Sequence, residues 1–294
     1  MRGLANYAMR GPKQALFMAV LFASIPMLFW LSSAIIALVI LRRGIDHGLK
    51  VLMWALLPAI GWAAAGQFNV LTGLLATTLL ACTLRQTVSW PKTLLALVPV
   101  GGAIALSLFQ LAPQQIALLS EAVMSLLVKI LPEQGAKSTV DIGTQLKPLV
   151  EYGVIGMLAW FTLVSGVLSL VLARAWQSVL YNPGGFGNEF RRVILPPVAS
   201  IVLLALTLGG SALSPVLTAL IPIASLPLFI AGIALVHGLV NLKQLGSFWL
   251  VGMYMLLILV TQLAYPVIVL TACFDSVFDF RRRAANRIAQ NGPK

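Results

Sequence analysis

The chain has 294 residues, of which 60 % are hydrophobic and only 10 % charged, and its mean hydropathy is +0.96. Soluble proteins carry about 25 % charged residues, so there is no room for a sizeable soluble domain and most of the chain belongs in lipid. A net charge of +12 raises nucleic acid as a partner. However, the basic residues sit in short turns beside apolar runs and at the termini, which is the pattern of positive-inside topology and of contact with anionic membrane lipids, and nucleic-acid binding is disfavoured.

Residues 14–41 carry no charge, follow Arg2, Arg10 and Lys13, and are closed by Arg42 and Arg43. One straight helix of that length would measure about 42 Å at ~1.5 Å per residue, against a hydrocarbon core of about 30 Å. Pro26 breaks it, and basic residues at both ends favour the same side of the membrane. Two short helices, residues 14–28 and 32–41, are therefore predicted to form a hairpin. No cleavable leader is expected, because the run is too long for one and lacks a small-residue cleavage site before a polar chain.

A second hairpin follows, with arms at 51–66 and 70–84 and a turn at Gln67, Phe68 and Asn69. Pro58, Gly61 and Gly66 loosen its first arm, which needs neighbours to cover its backbone. After Arg85 and Lys92, residues 93–111 cross outward, and Pro99, Gly101 and Gly102 predict a kink or a close contact. Residues 112–149 form the largest external segment, where Glu121, Glu133 and Asp141 balance Lys129, Lys137 and Lys147. That neutrality places it in the periplasm. Ile116, Leu119, Val123, Leu126 or Leu127, and Ile130 recur at helical spacing, giving an amphipathic periplasmic helix over 113–131. It lies on the membrane surface, caps the bundle, or acts as a lid over an outward-facing pocket.

Residues 150–173 form a clean span whose Gly153, Gly156, Ser165, Gly166 and Ser169 allow close helix contact. In the loop 174–192, the glycines after Asn182 and Pro183 lack both a following Gly-Lys-Ser/Thr and a preceding strand, so a phosphate loop is not expected. Phe186 and Phe190 are expected among the lipid headgroups, with the loop arginines on phosphates. Residues 193–210 cross behind Pro196 and Pro197. Pro215, Pro222 and Pro227 divide residues 211–240 into an outer half-helix and a span over 226–240. The last apolar run, 248–274, is interrupted at Pro266 and leads to a basic tail expected to be cytoplasmic. Counting gives nine spans, which would put that tail outside. The tail's arginines favour about eight short, Pro-broken spans with both termini inside. The fold class is thus an all-α polytopic transmembrane bundle in one membrane domain. Its parts are helix groups at 14–111 and 150–274, the external segment 112–149, and the tail 275–294.

Three features carry a family resemblance: the broken first run ending in Arg42-Arg43-Gly44, the loop Asn182-Pro183-Gly184-Gly185-Phe186 with Glu189-Phe190, and the closing Phe274-Asp275-Ser276-Val277-Phe278-Asp279-Phe280-Arg281-Arg282-Arg283. With them the chain resembles, over nearly its whole length, the YybS-like family of bacterial membrane proteins. That family is distantly similar to the substrate-binding membrane subunits of energy-coupling-factor transporters. The resemblance implies a bacterial inner-membrane protein with short, broken helices around a pocket, and no particular substrate or binding residues.

Polar residues inside lipid are costly and often functional. His237 and Asn241, four residues apart on one helix face, and Gln262 in the final run are the candidate substrate-binding residues. Interhelical hydrogen bonding, worth about 0.6 kcal/mol on average, would equally explain them. Gln110 and the turn residues Gln67 and Asn69 could complete such a site. Asp275 and Asp279 could do acid/base work or hold a metal, or could pair with Arg282 and Arg283 and fix the exit of the last helix. The second reading is expected, and the face carrying Asp275, Asp279, Arg281, Arg282 and Arg283 is the candidate docking site for a cytoplasmic protein or anionic lipid. Cys82 and Cys273 lie in separate apolar runs and are expected as small buried hydrophobes. His47 sits in a short turn, and no nucleophile has a histidine and carboxylate near it in sequence. No catalytic residue, metal or cofactor is expected. Two functions remain open: a transporter-subunit-like binder of a small or lipid-like molecule, and a membrane scaffold that recruits cytoplasmic proteins or anionic lipid through its basic tail and loops.

Overall fold

The computed structural model describes residues 2–130 and 136–290, with side chains for all of these except 128, 130 and 136–145. Glu133 and the side chains of Ile130, Lys137 and Asp141 lie outside the described residues. Those described form an all-helical bundle without strands, and six helices are long and apolar enough to cross a membrane: Pro26–Arg43, Ile45–Ala64, Trp90–Leu111, Leu146–Tyr181, Pro215–Leu242 and Thr261–Phe278.

The chain opens with α1 (Arg2–Arg10) and α2 (Pro12–Ala23), a 3-10 turn at Pro26–Leu28, and α3 (Phe29–Arg43). Ser32 Oγ donates to the Ala19 carbonyl at 2.7 Å, and Arg43 Nη2 to the Met9 carbonyl at 2.6 Å. The end of α3 therefore lies beside the start of α2, and the predicted hairpin is present. We call the end holding Arg43 and the start of α2 the basic end, and the opposite one the far end.

From the basic end, α4 (Ile45–Ala64) runs out and α5 (Asn69–Thr87) returns, bringing Arg85 Nη1 to the Leu41 carbonyl at 2.6 Å. Next come α6 (Trp90–Leu95) and α7 (Leu97–Leu111). The break between them is the expected kink: Pro99 has no N–H to offer the Leu95 carbonyl one turn back. At the far end, α8 (Pro113–Ile130) packs along α9 (Ala136–Tyr181), a helix of 46 residues that touches α3, α5, α7 and α8. The helix expected over 113–131 is thus present, but its buried stripe differs. Ile116 and Ser120 turn inward, while Leu119, Val123 and Leu126 stay exposed.

The short α10 (Gly185–Phe190) leads into α11 (Pro197–Leu213), a 3-10 turn at Pro215–Ala219, and α12 (Leu220–Leu242). Residues 248–274 differ from expectation. They contain two helices, α13 (Phe248–Leu259) and α14 (Thr261–Phe278), divided at Val260, while Pro266 sits inside α14. Ser225 lies beside Tyr265 and Gly232 against Ile268, so α12 and α14 run parallel and α13 must travel back between them. The last described helix is α15 (Phe280–Gln290), back at the basic end.

The centre of the bundle is α3. Every residue from Leu31 to Leu41 is buried, enclosed by α2, α4, α5 and α9. Apolar except for Ser32 and Ser33 and buried all the way round, this stretch has no face to give to water or headgroups. Small residues set the spacing elsewhere. A Cβ on Gly232 would lie 2.5 Å from the Ile268 carbonyl oxygen, and one on Gly156 would enter the backbone of Ala219. Replacing Gly232 or Gly156 by valine should destabilise the detergent-extracted protein by about 1–3 kcal/mol of overpacking. Gly102→Ala, with nothing within 4 Å, should not. Thermal unfolding of the three variants checks this.

Candidate functional site

Ser276 and Asp275, on the last turn of α14, are buried, and Asp275 decides how the chain leaves that helix. Its Oδ2 accepts from Arg281 Nη2 at 2.6 Å and its Oδ1 from the Phe280 backbone N–H at 2.9 Å. Arg281 also donates to the carbonyls of Arg191 at 2.7 Å and Val193 at 2.6 Å, tying α14 to the segment between α10 and α11. Asp275 therefore pairs with Arg281, not with Arg282 or Arg283. The reason is geometric: Asp279 adopts a left-handed conformation (φ 46°), which bends the chain and brings Arg281 back over α14. Asp279 itself caps α15, accepting from the Arg282 backbone N–H at 3.0 Å. Arg283 lies over the Phe278 ring at 5.3 Å. Of the candidate docking residues, only Arg282 and Arg283 keep exposed cationic side chains, because Arg281 is consumed inside the fold.

The three candidate substrate-binding residues do not come together. His237 is half-buried near the basic end of α12, where Nε2 meets the Tyr254 hydroxyl at 2.9 Å and the ring packs edge-on to Phe190. Asn241 is exposed just beyond it. Gln262, in the first turn of α14, is exposed at the opposite end, because α12 and α14 are parallel. At ~1.5 Å per residue it lies about 20 Å along the helices from His237. Nothing local in the sequence gives the direction in which the helix bearing Gln262 runs.

A polar cluster at the basic end was also unforeseen. Glu189 is bidentate to Arg174, with Nε at 2.9 Å from Oε2, and accepts from Trp90 Nε1 at 3.4 Å. Arg174 also donates to Gln177, which donates to the Leu41 carbonyl at 3.2 Å. A cavity of about 480 Å³ opens there, but its one carboxylate is already paired. Phe186 and Phe190, expected among the headgroups, turn inward instead and pack on Trp90, on each other and on His237. Cys273 is buried and Cys82 half-buried, both free. Among the described residues no three His, Cys, Asp or Glu side chains converge.

A different cavity, of about 500 Å³, opens at the far end between α3, the α4–α5 turn, α7, α8 and α9. The turn begins with a Schellman closure of α4: Gln67 N–H bonds the Trp62 carbonyl at 2.8 Å and Gly66 N–H the Ala63 carbonyl at 2.9 Å. Gly66 takes φ +84°, which favours glycine. Gln67, Phe68 and Asn69 are thereby thrown over the mouth, and Gln115 of α8 reaches the Gly66 carbonyl to fix the opposite rim. Thr72, Thr162 and Ser165 line the cavity below. Thr72 and Thr162 give their protons to the carbonyls of Phe68 and Leu158, at 2.8 and 3.0 Å, and so present lone pairs to the cavity. Phe29, Phe68 and Phe161 supply flat apolar walls.

No charged side chain lines this space, and among the described residues the side chains of Gln67 and Asn69 make no hydrogen bond. The arrangement offers amide donors and acceptors, hydroxyl acceptors and aromatic faces to a neutral polar molecule. Its volume is in the usual range for small-molecule sites, about 300–1,000 Å³. Gln67 and Asn69 were visible in sequence as a polar turn; Gln115, Thr162, Ser165 and the three rings were not, because in a membrane chain they read as ordinary helix composition. Gln110 lies outside the lining.

No family model matches the chain, and neither does any curated protein or solved structure.

Changing Asp275 to Asn should cost about 3–5 kcal/mol of stability, because it strands the largely buried Arg281 charge. Arg282→Gln, at an exposed position, should stay within about 0.5 kcal/mol of the parent. Chemical or thermal unfolding in mild detergent separates the two.

Proposed function

We propose that this is a multi-pass protein of the bacterial inner membrane, of the transporter-subunit type, that holds a neutral polar or lipid-like small molecule in the far-end cavity. The observation that carries this reading is the convergence of Gln67, Asn69, Gln115, Thr72, Thr162 and three phenylalanine rings on one uncharged space of about 500 Å³. The site is thus moved from His237, Asn241 and Gln262 to the α4–α5 turn and its neighbours.

The topology proposed with it has the basic end in the cytoplasm, by the positive-inside rule, and the far end with α8 in the periplasm. Ten helical passages, rather than the eight expected, follow if α13 and α14 each cross. Both ends of the described chain then stay on the cytoplasmic side without setting aside any charge. The exposed apolar length of α13, from Phe248 to Leu259, suits lipid contact on this reading. Kinship with the YybS-like family rests on the sequence motifs alone. The chain carries no nucleotide-binding motif, so transport would need an energising partner, and the exposed Arg282, Arg283 and Arg287 of α15 are the proposed grip for a cytoplasmic protein. The reading is non-enzymatic.

Native mass spectrometry of the gently extracted protein tests it. A discrete small molecule should be retained by the parent and by His237→Phe. It should be lost from the Gln67→Ala/Asn69→Ala variant, about thirtyfold in affinity for two hydrogen bonds of ~1 kcal/mol each. Retention in that variant, or loss only on changing His237, would refute the placement of the site.

A further inference from the structure

Lys13, Arg43, His47 and Lys50 converge at the basic end on a second kind of cavity, of about 290 Å³, between α2, the end of α3 and α4. Its walls are apolar, with Leu16, Val51 and Trp54 among them, and no carboxylate lines it. The two ion pairs among the described residues lie elsewhere, at Arg174–Glu189 and Arg281–Asp275. Lys13, Arg43 and Lys50 thus share a small space whose lining holds no carboxylate. Arg43 is held in place by the bond from Nη2 to the Met9 carbonyl, which leaves the rest of its guanidinium fork available.

The backbone adds to this field. Both α2 and α4 begin here, after Gly11 and Gly44, and neither start has a side-chain cap. Their first N–H groups carry partial positive charge and lack intrahelical acceptors. Asp46, in the first turn of α4, offsets part of that charge but lies outside the lining. An anion entering the cavity would relieve the repulsion and satisfy several donors at once.

The shape narrows the class of anion. The cationic rim continues into an apolar wall that ends at Trp54, 54 % exposed, with the exposed Leu57 one turn further along α4. A free phosphate would use the rim and leave this wall bare. A zwitterionic lipid would bring its own ammonium to a cationic rim. We infer that the cavity binds the phosphate headgroup of an anionic membrane lipid, with an acyl chain laid along Leu16 and Trp54. The site is at the opposite end of the bundle from the ligand cavity, so either assignment can fail without the other.

The test is thermal stabilisation of the delipidated full chain in neutral detergent by phosphatidylglycerol, phosphatidylcholine or inorganic phosphate. Phosphatidylglycerol should stabilise the parent. In Lys13→Gln/Lys50→Gln, two exposed changes compatible with folding, its apparent affinity should fall about thirtyfold, at ~fivefold per charge. Lys243→Gln, which removes a cation outside the cavity, should leave the affinity unchanged. An equal response to phosphatidylcholine, an undiminished response in the double variant, or stabilisation by inorganic phosphate as strong as by the lipid would each overturn the assignment.

Discussion

The enclosure of α3 is the constraint on which the rest of the molecule depends. A helix buried on every face needs neighbours on every face, and α2, α4, α5 and α9 supply them. Of its two buried serines one is bonded and one, Ser33, keeps a buried hydroxyl without a partner among the described residues. Ser32 bonds the Ala19 carbonyl, and the Leu41 carbonyl at the helix's basic end accepts from both Arg85 and Gln177. Cations at the C-terminus of a helix also oppose its dipole favourably. Near its start, the Trp30 carbonyl accepts from Ser169 of α9 at 3.0 Å, so the longest helix is registered on the central one.

From that arrangement the two ends acquire different chemistry. At the basic end, arginines tie helix ends together: Arg43 to α1, Arg85 to α3, Arg174 to α10, and Arg281 to the approach to α11. Those cations hold loops whose own backbone would otherwise stand unsatisfied beside lipid. At the far end the closures are neutral, made by the glycine turn after α4, by Gln115 and by the 3-10 turn before α12. Neutral closures leave amides and aromatic rings around an open space, which is where a ligand can be accommodated without a counter-charge.

How much of this could be read in the sequence follows from what is local. The first hairpin was legible because Pro26 and the flanking arginines are adjacent in the chain, and the kink before Pro99 was legible for the same reason. The helix at 113–130 was legible from its period, yet its inward face was not, because Ser120 is buried in the bundle and no local rule announces that. The division of residues 248–274 at Val260 was missed because nothing there resembles a breaker, whereas Pro266, which does, is tolerated inside α14. That one break sets the direction of α14. It therefore also parted Gln262 from His237. Asp275 was recognised as a partner for arginine, but the choice of Arg281 rests on the left-handed Asp279, a conformation invisible in composition. Of the far-end cavity only the Gln67 and Asn69 turn was legible, since the cavity is made by five elements distant in sequence.

The central claim is a membrane bundle whose ligand cavity opens on the face opposite the basic end. Thiol labelling tests it most directly, in a background with Cys82 and Cys273 replaced by alanine and a single cysteine introduced at Asn69 or at Ser247, in the turn between α12 and α13. An impermeant maleimide added to intact cells with a permeable outer membrane should label Asn69→Cys, and should reach Ser247→Cys only after the inner membrane is opened. Labelling of both positions from the same side would contradict the passage count, the placement of the cavity and the direction of α13 together.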